Sequence, residues 1–198
     1  MAFNLDQFRG ALQFDGARPN LFEVKMTFPT LGEGATIQSS RAGNQISFFC
    51  RAAQLPGSTV NAVPVNYFGR ELKFAGNRTF PEWTVTLLND EDFTLRNAFE
   101  LWLNGLNSHA GNRRNRLFTQ STSYTQNGSV TQYSKTGVPL KSYDFVGMFP
   151  IDISPIDVDW ASNDAIEEYQ VTFAYQWWES AAVNRSGGTP PVYNPGVV

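Results

Sequence analysis

Few residues in this sequence have types suited to chemistry. Ser108 and His109 stand side by side, supplying a nucleophile and a base, two of the three parts of a hydrolytic triad. A triad needs convergence in space, which adjacency along the chain does not supply, and this pair sits in a polar stretch bounded by glycines. Asp152, Asp157, Asp159 and Asp164 carry oxygen ligands of the kind calcium takes, but their spacing lacks the turn glycine and terminal Glu of an EF-hand loop. Acidic loops and strand-face carboxylates explain them better. Zinc is no better served, because the single Cys and single His supply too few nitrogen or sulfur ligands. No GxxxxGK phosphate loop and no GxSxG nucleophile elbow occurs. The expectation is a chain with no catalytic residue, no metal and no cofactor.

The lone cysteine, Cys50, excludes an internal disulfide and reads as a small buried apolar residue rather than a reactive thiol. It suits a reducing compartment. A formal net charge of -3 argues against sequence-specific DNA binding, whose phosphate contacts call for a basic face. Charge is unevenly spread. Asp90, Glu91 and Asp92 precede a helical pattern whose dipole they favour. Arg113, Arg114 and Arg116 cluster in a polar loop and read as a solvated loop or protein contact, with an anion or nucleic-acid site as the alternative; no stacking aromatic is interleaved. The N-terminus lacks the basic start and apolar core of a signal peptide, and no run approaches the ~20 apolar residues of a membrane span, so no stable membrane insertion is expected.

The elements that would position any site read mostly as strands, in a single domain whose 198 residues, 41% hydrophobic, can bury a core. Phe22, Val24, Met26 and Phe28 alternate with polar neighbours. Residues 29–44 read as a Gly, Thr, Ser and Asn-rich surface loop, followed by a strand over 45–53 with Ile46, Phe48, Cys50 and Ala52 on one face. Residues 58–68 are extended, and Pro64 favours an edge or an irregular extension over a central strand. Arg70–Phe74 forms a strand with Leu72 and Phe74 on a buried face, and Gly76-Asn77 supplies its turn. The next strand places Trp83, Val85 and Leu87 on one side. Asn89-Asp90 then caps a helix with the stripe Leu95, Ala98, Phe99, Trp102 and Leu103, and Gly105 is its left-handed C-terminal cap. After a polar stretch in which 129–133 pairs locally, strands are expected over 140–149, 156–160 and 169–178. Four of the five tryptophans, Trp160 among them, occupy positions a core would claim. Trp177 and Trp178 are neighbours on a strand and point to opposite faces, so one lies outside the domain's own core, fitting a subunit interface.

The runs 17–22 (ARPNLF), 75–80 (AGNRTF) with Trp83, 88–91 (LNDE), 147–150 (GMFP), Val158-Asp159-Trp160 with Ser162-Asn163, and the final strand to Glu179 resemble, in collinear order, the tail tube proteins of contractile-tailed bacteriophages. The resemblance runs from about Ala17 to Glu179, dividing the chain into an N-terminal arm (1–16), in which Leu5, Phe8 and Leu12 make an amphipathic turn or docking segment, a β-domain (17–179) and a flexible or extended C-terminal arm (180–198).

The resemblance implies a mainly β fold, an antiparallel β-barrel or sandwich with one flanking helix, assembling into stacked hexameric rings. Exposed sheet edges pair around a closed ring, which removes them. It also implies that Leu55, Pro56, Val60, Val63 and Val65, on the connection and hairpin from Ala53 to Phe68, make contacts between rings. The partners implied are further copies of the chain, the tail sheath protein, and baseplate and tail-terminator proteins. The lumen would hold the tape measure protein and then genomic DNA, without sequence specificity. The place implied is the virion tail, assembled in the host bacterial cytoplasm. The inner tube of a phage-derived injection or secretion system delivering protein effectors is the nearest alternative, and a monomeric β-sandwich binding module is an alternative of another class.

Overall fold

The computed structural model describes residues 5–12, 16–30 and 33–182. Residues 183–198 of the expected C-terminal arm lie outside the described residues, as do 1–4 and 13–15 of the N-terminal arm. The elements, in chain order, are α1 (Leu5–Ala11), β1 (Phe22–Met26), α2 (Glu33–Phe49), β2 (Cys50–Ala53), β3 (Thr59–Tyr67), β4 (Arg70–Thr79), β5 (Trp83–Leu88) and α3 (Thr94–Leu106). After them come a 3₁₀ turn (Arg116–Phe118), α4 (Ser121–Tyr124), β6 (Gln126–Tyr133), β7 (Pro139–Ile153), β8 (Glu168–Ala174) and β9 (Trp177–Ala182).

Antiparallel pairing runs β1-β6-β7-β8-β5-β2, with β9 also on β7. The long strand β7 belongs to both halves of this sheet. Lys141–Val146 pairs with β9 and, on its other side, with β6, whereas Phe149–Ile153 pairs with β8. Gly147 lies at the changeover with φ 66, a conformation costly for any side chain, and a Cβ there would sit 2.8 Å from Gln176 Cγ. Period-two burial in β5 and β8 turns Trp83, Val85, Leu87, Tyr169, Val171 and Phe173 inward. Val24, Met26, Val130 and Phe145 face the same core from the other half. Trp83 stacks on Phe145 with centroids 4.3 Å apart.

Two long helices cover this core. On α3, Leu95, Ala98, Phe99 and Trp102 are buried on one stripe, with Phe28 packed 5.0 Å from Phe99 and 5.8 Å from Trp102. α2 occupies the stretch expected to be a loop and half of the expected strand over 45–53. Its Gly, Ser, Thr and Asn content disfavours a helix, but Ala42 and Ile46 stand four residues apart and bury fully. Burial overrode propensity, and Phe48, which a strand would have placed beside Ile46, faces solvent.

Other expectations are corrected. Asn89-Asp90 does not cap α3: the cap is Phe93, at φ 51 and without a side-chain bond, and Asp92 pairs with Arg41 at 2.6 Å instead. Gly105 is a buried helical residue, and the helix ends at Asn107 in extended conformation. Gly76-Asn77 is no turn, because β4 runs through it to Thr79. The stretch 129–133 is part of β6, a strand paired on both sides. Residues 156–160 form no strand. The strand expected over 169–178 is broken at 175–176 into β8 and β9, and β9 carries 180–182 of the expected arm. Trp160 is fully exposed, not part of the core.

Candidate functional site

Among the described residues β3 and β4 pair only with each other, forming a two-stranded ribbon apart from the main sheet. Their register places Val63 opposite Phe74 and Val65 opposite Leu72 on one face, with Pro64–Lys73 and Asn66–Glu71 on the other. The alternation is thus that of a strand with one buried face, as the residues imply, but among the described residues nothing buries it: Val63, Val65, Leu72 and Phe74 remain 45–56% exposed. Val60 and Leu55 are exposed to the same degree, and Pro56 is partly buried. A two-stranded ribbon with an uncovered apolar face is marginal by itself in water, so a surface that covered this face would stabilise it.

The ribbon tip is aromatic. The connection Phe68-Gly69 has φ 46 and 79, the two positive values a type I′ turn requires. Phe is a strained occupant of such a position. Its ring is 90% exposed and stands edge-on to Tyr67 at 4.5 Å. Spacing in the sequence hides this feature, since Tyr-Phe-Gly lacks the usual Asn-Gly signal.

Trp177 and Trp178 begin β9 and divide as alternation requires. Trp178 packs on Tyr143 at 5.4 Å, and its indole donates to the Gly57 carbonyl at 2.9 Å. Trp177 is 45% exposed. The ribbon base and β9 are therefore neighbours, with Gly57, between Pro56 and β3, held against Trp178.

The chemistry-bearing residues are not assembled in this way. Ser108 Oγ accepts from the Arg113 amide at 3.2 Å, and the His109 amide donates to Asn104 Oδ1 at 3.3 Å, so both serve the loop after α3. Among the described residues, no three of His, Cys, Asp and Glu form a group able to hold a metal. Burial pushes the Cys50 thiol up to about 12. No described helix is long and apolar enough to cross a membrane.

Comparison with known proteins fits a chain built of surfaces. The family described as phage tail tube protein matches residues 17–181. The chain is 33% identical over 167 residues to tail tube protein gp19 of Enterobacteria phage T4, covering 83% of this chain and 92% of that protein. Against the tail tube protein of Serratia phage KSP90 the identity is 21% over 173 residues, covering 86% and 93%. Among solved structures, the tube-terminating cap of the anti-feeding prophage superposes with a TM-score of 0.58 at 16% identity, covering 84% of this chain and 91% of that one. The extended sheath-tube complex of an extracellular contractile injection system superposes at 0.53 and 14% identity, covering 92% and 100%. At those identities the two structures speak for the fold alone. The match over most of its length and the identity to the T4 protein together place this chain in the phage tail tube protein family.

Proposed function

We propose that this chain is the repeating subunit of the inner tube of a contractile phage tail, closing into hexameric rings that stack into a hollow conduit for the genome. The observation that carries the reading is the β3–β4 ribbon, whose apolar face has no cover among the described residues. Stacking lays Val63, Val65, Leu72 and Phe74 on the adjoining ring, aided by Leu55, Pro56 and Val60. Trp177 joins lateral neighbours while Trp178 stays with its own core. The outer wall meets the tail sheath, and the tube ends meet baseplate and tail-terminator proteins. The lumen holds the tape measure protein and then DNA, through general electrostatics rather than base recognition. No chemical turnover is involved. Assembly takes place in the host cytoplasm, and the product is part of the virion. Identity to phage proteins across most of the chain favours this reading over an effector-delivering injection tube.

Electron microscopy of the purified chain, with and without a tail-tip preparation as seed, tests it. Hollow tubes are expected from the unmodified chain and none from V63D/V65D, which should fold normally because both positions are already half-exposed. Normal tubes from the variant would remove the ribbon from the stacking contact. Unmodified monomers that ignore the seed would remove the tube reading.

A further inference from the structure

Two loops of opposite charge stand at opposite ends of α3. At its N-terminal end, residues 154–167 link β7 to β8 and carry Asp157, Asp159 and Asp164. The base of this loop is pinned. Arg96 Nη1 donates to the Ser154 carbonyl at 3.3 Å, and Asn89 donates to Glu167 through its amide at 2.8 Å and its side chain at 2.7 Å. A turn held by the Ala161 amide on Asp159 Oδ1, 3.1 Å, presents Trp160 fully exposed beside Val158 at 83%. At the C-terminal end of α3, residues 108–116 carry Arg113, Arg114 and Arg116. This loop is also held: Ser108 and Arg113 exchange bonds of 3.0 and 3.2 Å, and the Asn115 amide donates to the Gly105 carbonyl at 2.9 Å. With Leu101 and Asn104 on α3 it borders an open groove of about 440 Å³.

The 13 residues of α3, rising about 1.5 Å each, hold the two loops roughly 20 Å apart, too far to satisfy each other within one chain. None of these three aspartates and three arginines makes an ion pair among the described residues.

We propose that the 154–167 loop of one copy docks, Trp160 foremost, into the groove beside Arg113 and Arg116 of a second copy. The proposal rests on the tube reading and adds to it a specific contact between copies. An indole fixed on a braced loop and wholly in water has the character of an anchor awaiting a desolvating pocket. The groove offers Leu101 as an apolar contact and a basic rim, complementary to the aspartates flanking the indole. Within a tube the contact is head-to-tail, the loop of each copy entering the groove of the next. Such a contact repeats from copy to copy and yields a ring or a continuing stack, whereas a self-complementary patch stops at a dimer.

Two charge variants test this, R113E/R116E, which makes the groove rim acidic like the loop, and D157K/D164K, which cancels the net charge of the loop and leaves the basic rim without an acidic partner. Arg114 is left in place because it stacks over Tyr124, and Asp159 because it holds its turn. Folding of each is checked by circular dichroism, and association is read by sedimentation velocity at low and high salt. Each variant alone should associate at least tenfold more weakly than the unmodified chain. Their equimolar mixture should associate strongly at low salt and weakly at high salt, and adding W160A to both should weaken the mixture at least tenfold. A mixture that stays monomeric, single variants that associate normally, or indifference to W160A would each overturn the docking. If the mixture associates while the unmodified chain never forms tubes under a seed, the docking stands and the tube reading fails.

Discussion

The indole of Trp178 donates a 2.9 Å hydrogen bond to the carbonyl of Gly57, joining β9 to the chain just before the β3–β4 ribbon. Trp178 also stands edge-on to Tyr143 at 5.4 Å and to Phe80 at 6.5 Å, so one side chain couples the sheet to the base of a projecting element. Replacing it by Phe keeps most of the packing and loses the bond, at a cost of about 1 kcal/mol. Replacing it by Ala should cost about 2–4 kcal/mol. Trp177→Ala should leave stability within about 0.5 kcal/mol while reducing tube yield. Urea denaturation beside electron microscopy separates the two neighbours. Equal effects on stability would contradict their division between core and surface.

The ribbon tip predicts a conflict between stability and assembly. Phe68 at φ 46 is strained, and Asn tolerates that conformation. Phe68→Asn should slow amide exchange across the ribbon, corresponding to about 1 kcal/mol of local stabilisation. The same change removes an exposed aromatic contact and should slow tube growth. Faster growth would show that the ring takes no part in contacts between copies.

Cys50 should be inert while the chain is folded. Burial is the main reason its thiol lies at about 12, and a backbone hydrogen bond from Ala52 offsets burial only in part. At pH 8 the folded chain then holds on the order of a thousandfold less thiolate than a free thiol near 8.5. Labelling by a thiol reagent should follow unfolding, with burst labelling of native protein as the contrary result.

Tyr133 donates to Glu23 Oε2 at 2.5 Å, tying β6 to the edge strand β1. That bond is the largest cause of the lowered Glu23 pKa, opposed by burial and supported by Lys25. A carboxylate lowered in the folded state contributes stability above its unfolded pKa of about 4.3, and the contribution is lost as pH falls through the folded value. Tyr133→Phe should therefore cost about 1–2 kcal/mol at pH 7 and less near pH 3. A cost independent of pH would assign the effect to packing.

Much of the architecture was legible where one periodicity had one solution. Trp83, Val85 and Leu87 alternate and lie inward, and Leu95, Ala98, Phe99 and Trp102 recur at helical spacing and lie inward too. The expectation failed over 33–49, where two periods overlap, and held at Cys50–Ala53, which is β2. Ile46, Phe48, Cys50 and Ala52 satisfy a strand, Ala42 and Ile46 satisfy a helix, and only the presence of β1 and α3 beside them selects the helix. Pro64 marked an edge correctly, but no local signal shows that the ribbon leaves the sheet.

The order of apolar and polar residues by itself determined the mainly β class and the family resemblance, together with the paired character of Trp177 and Trp178, because alternation and motif order are properties of the chain in one dimension. Tertiary structure alone decided which apolar faces lack a cover. Leu72 and Phe74 have the pattern of a buried strand and stay half-exposed, and Trp160 has the composition of a core residue and stands in water. Burial depends on what packs opposite a face, and for these residues nothing within the described chain does.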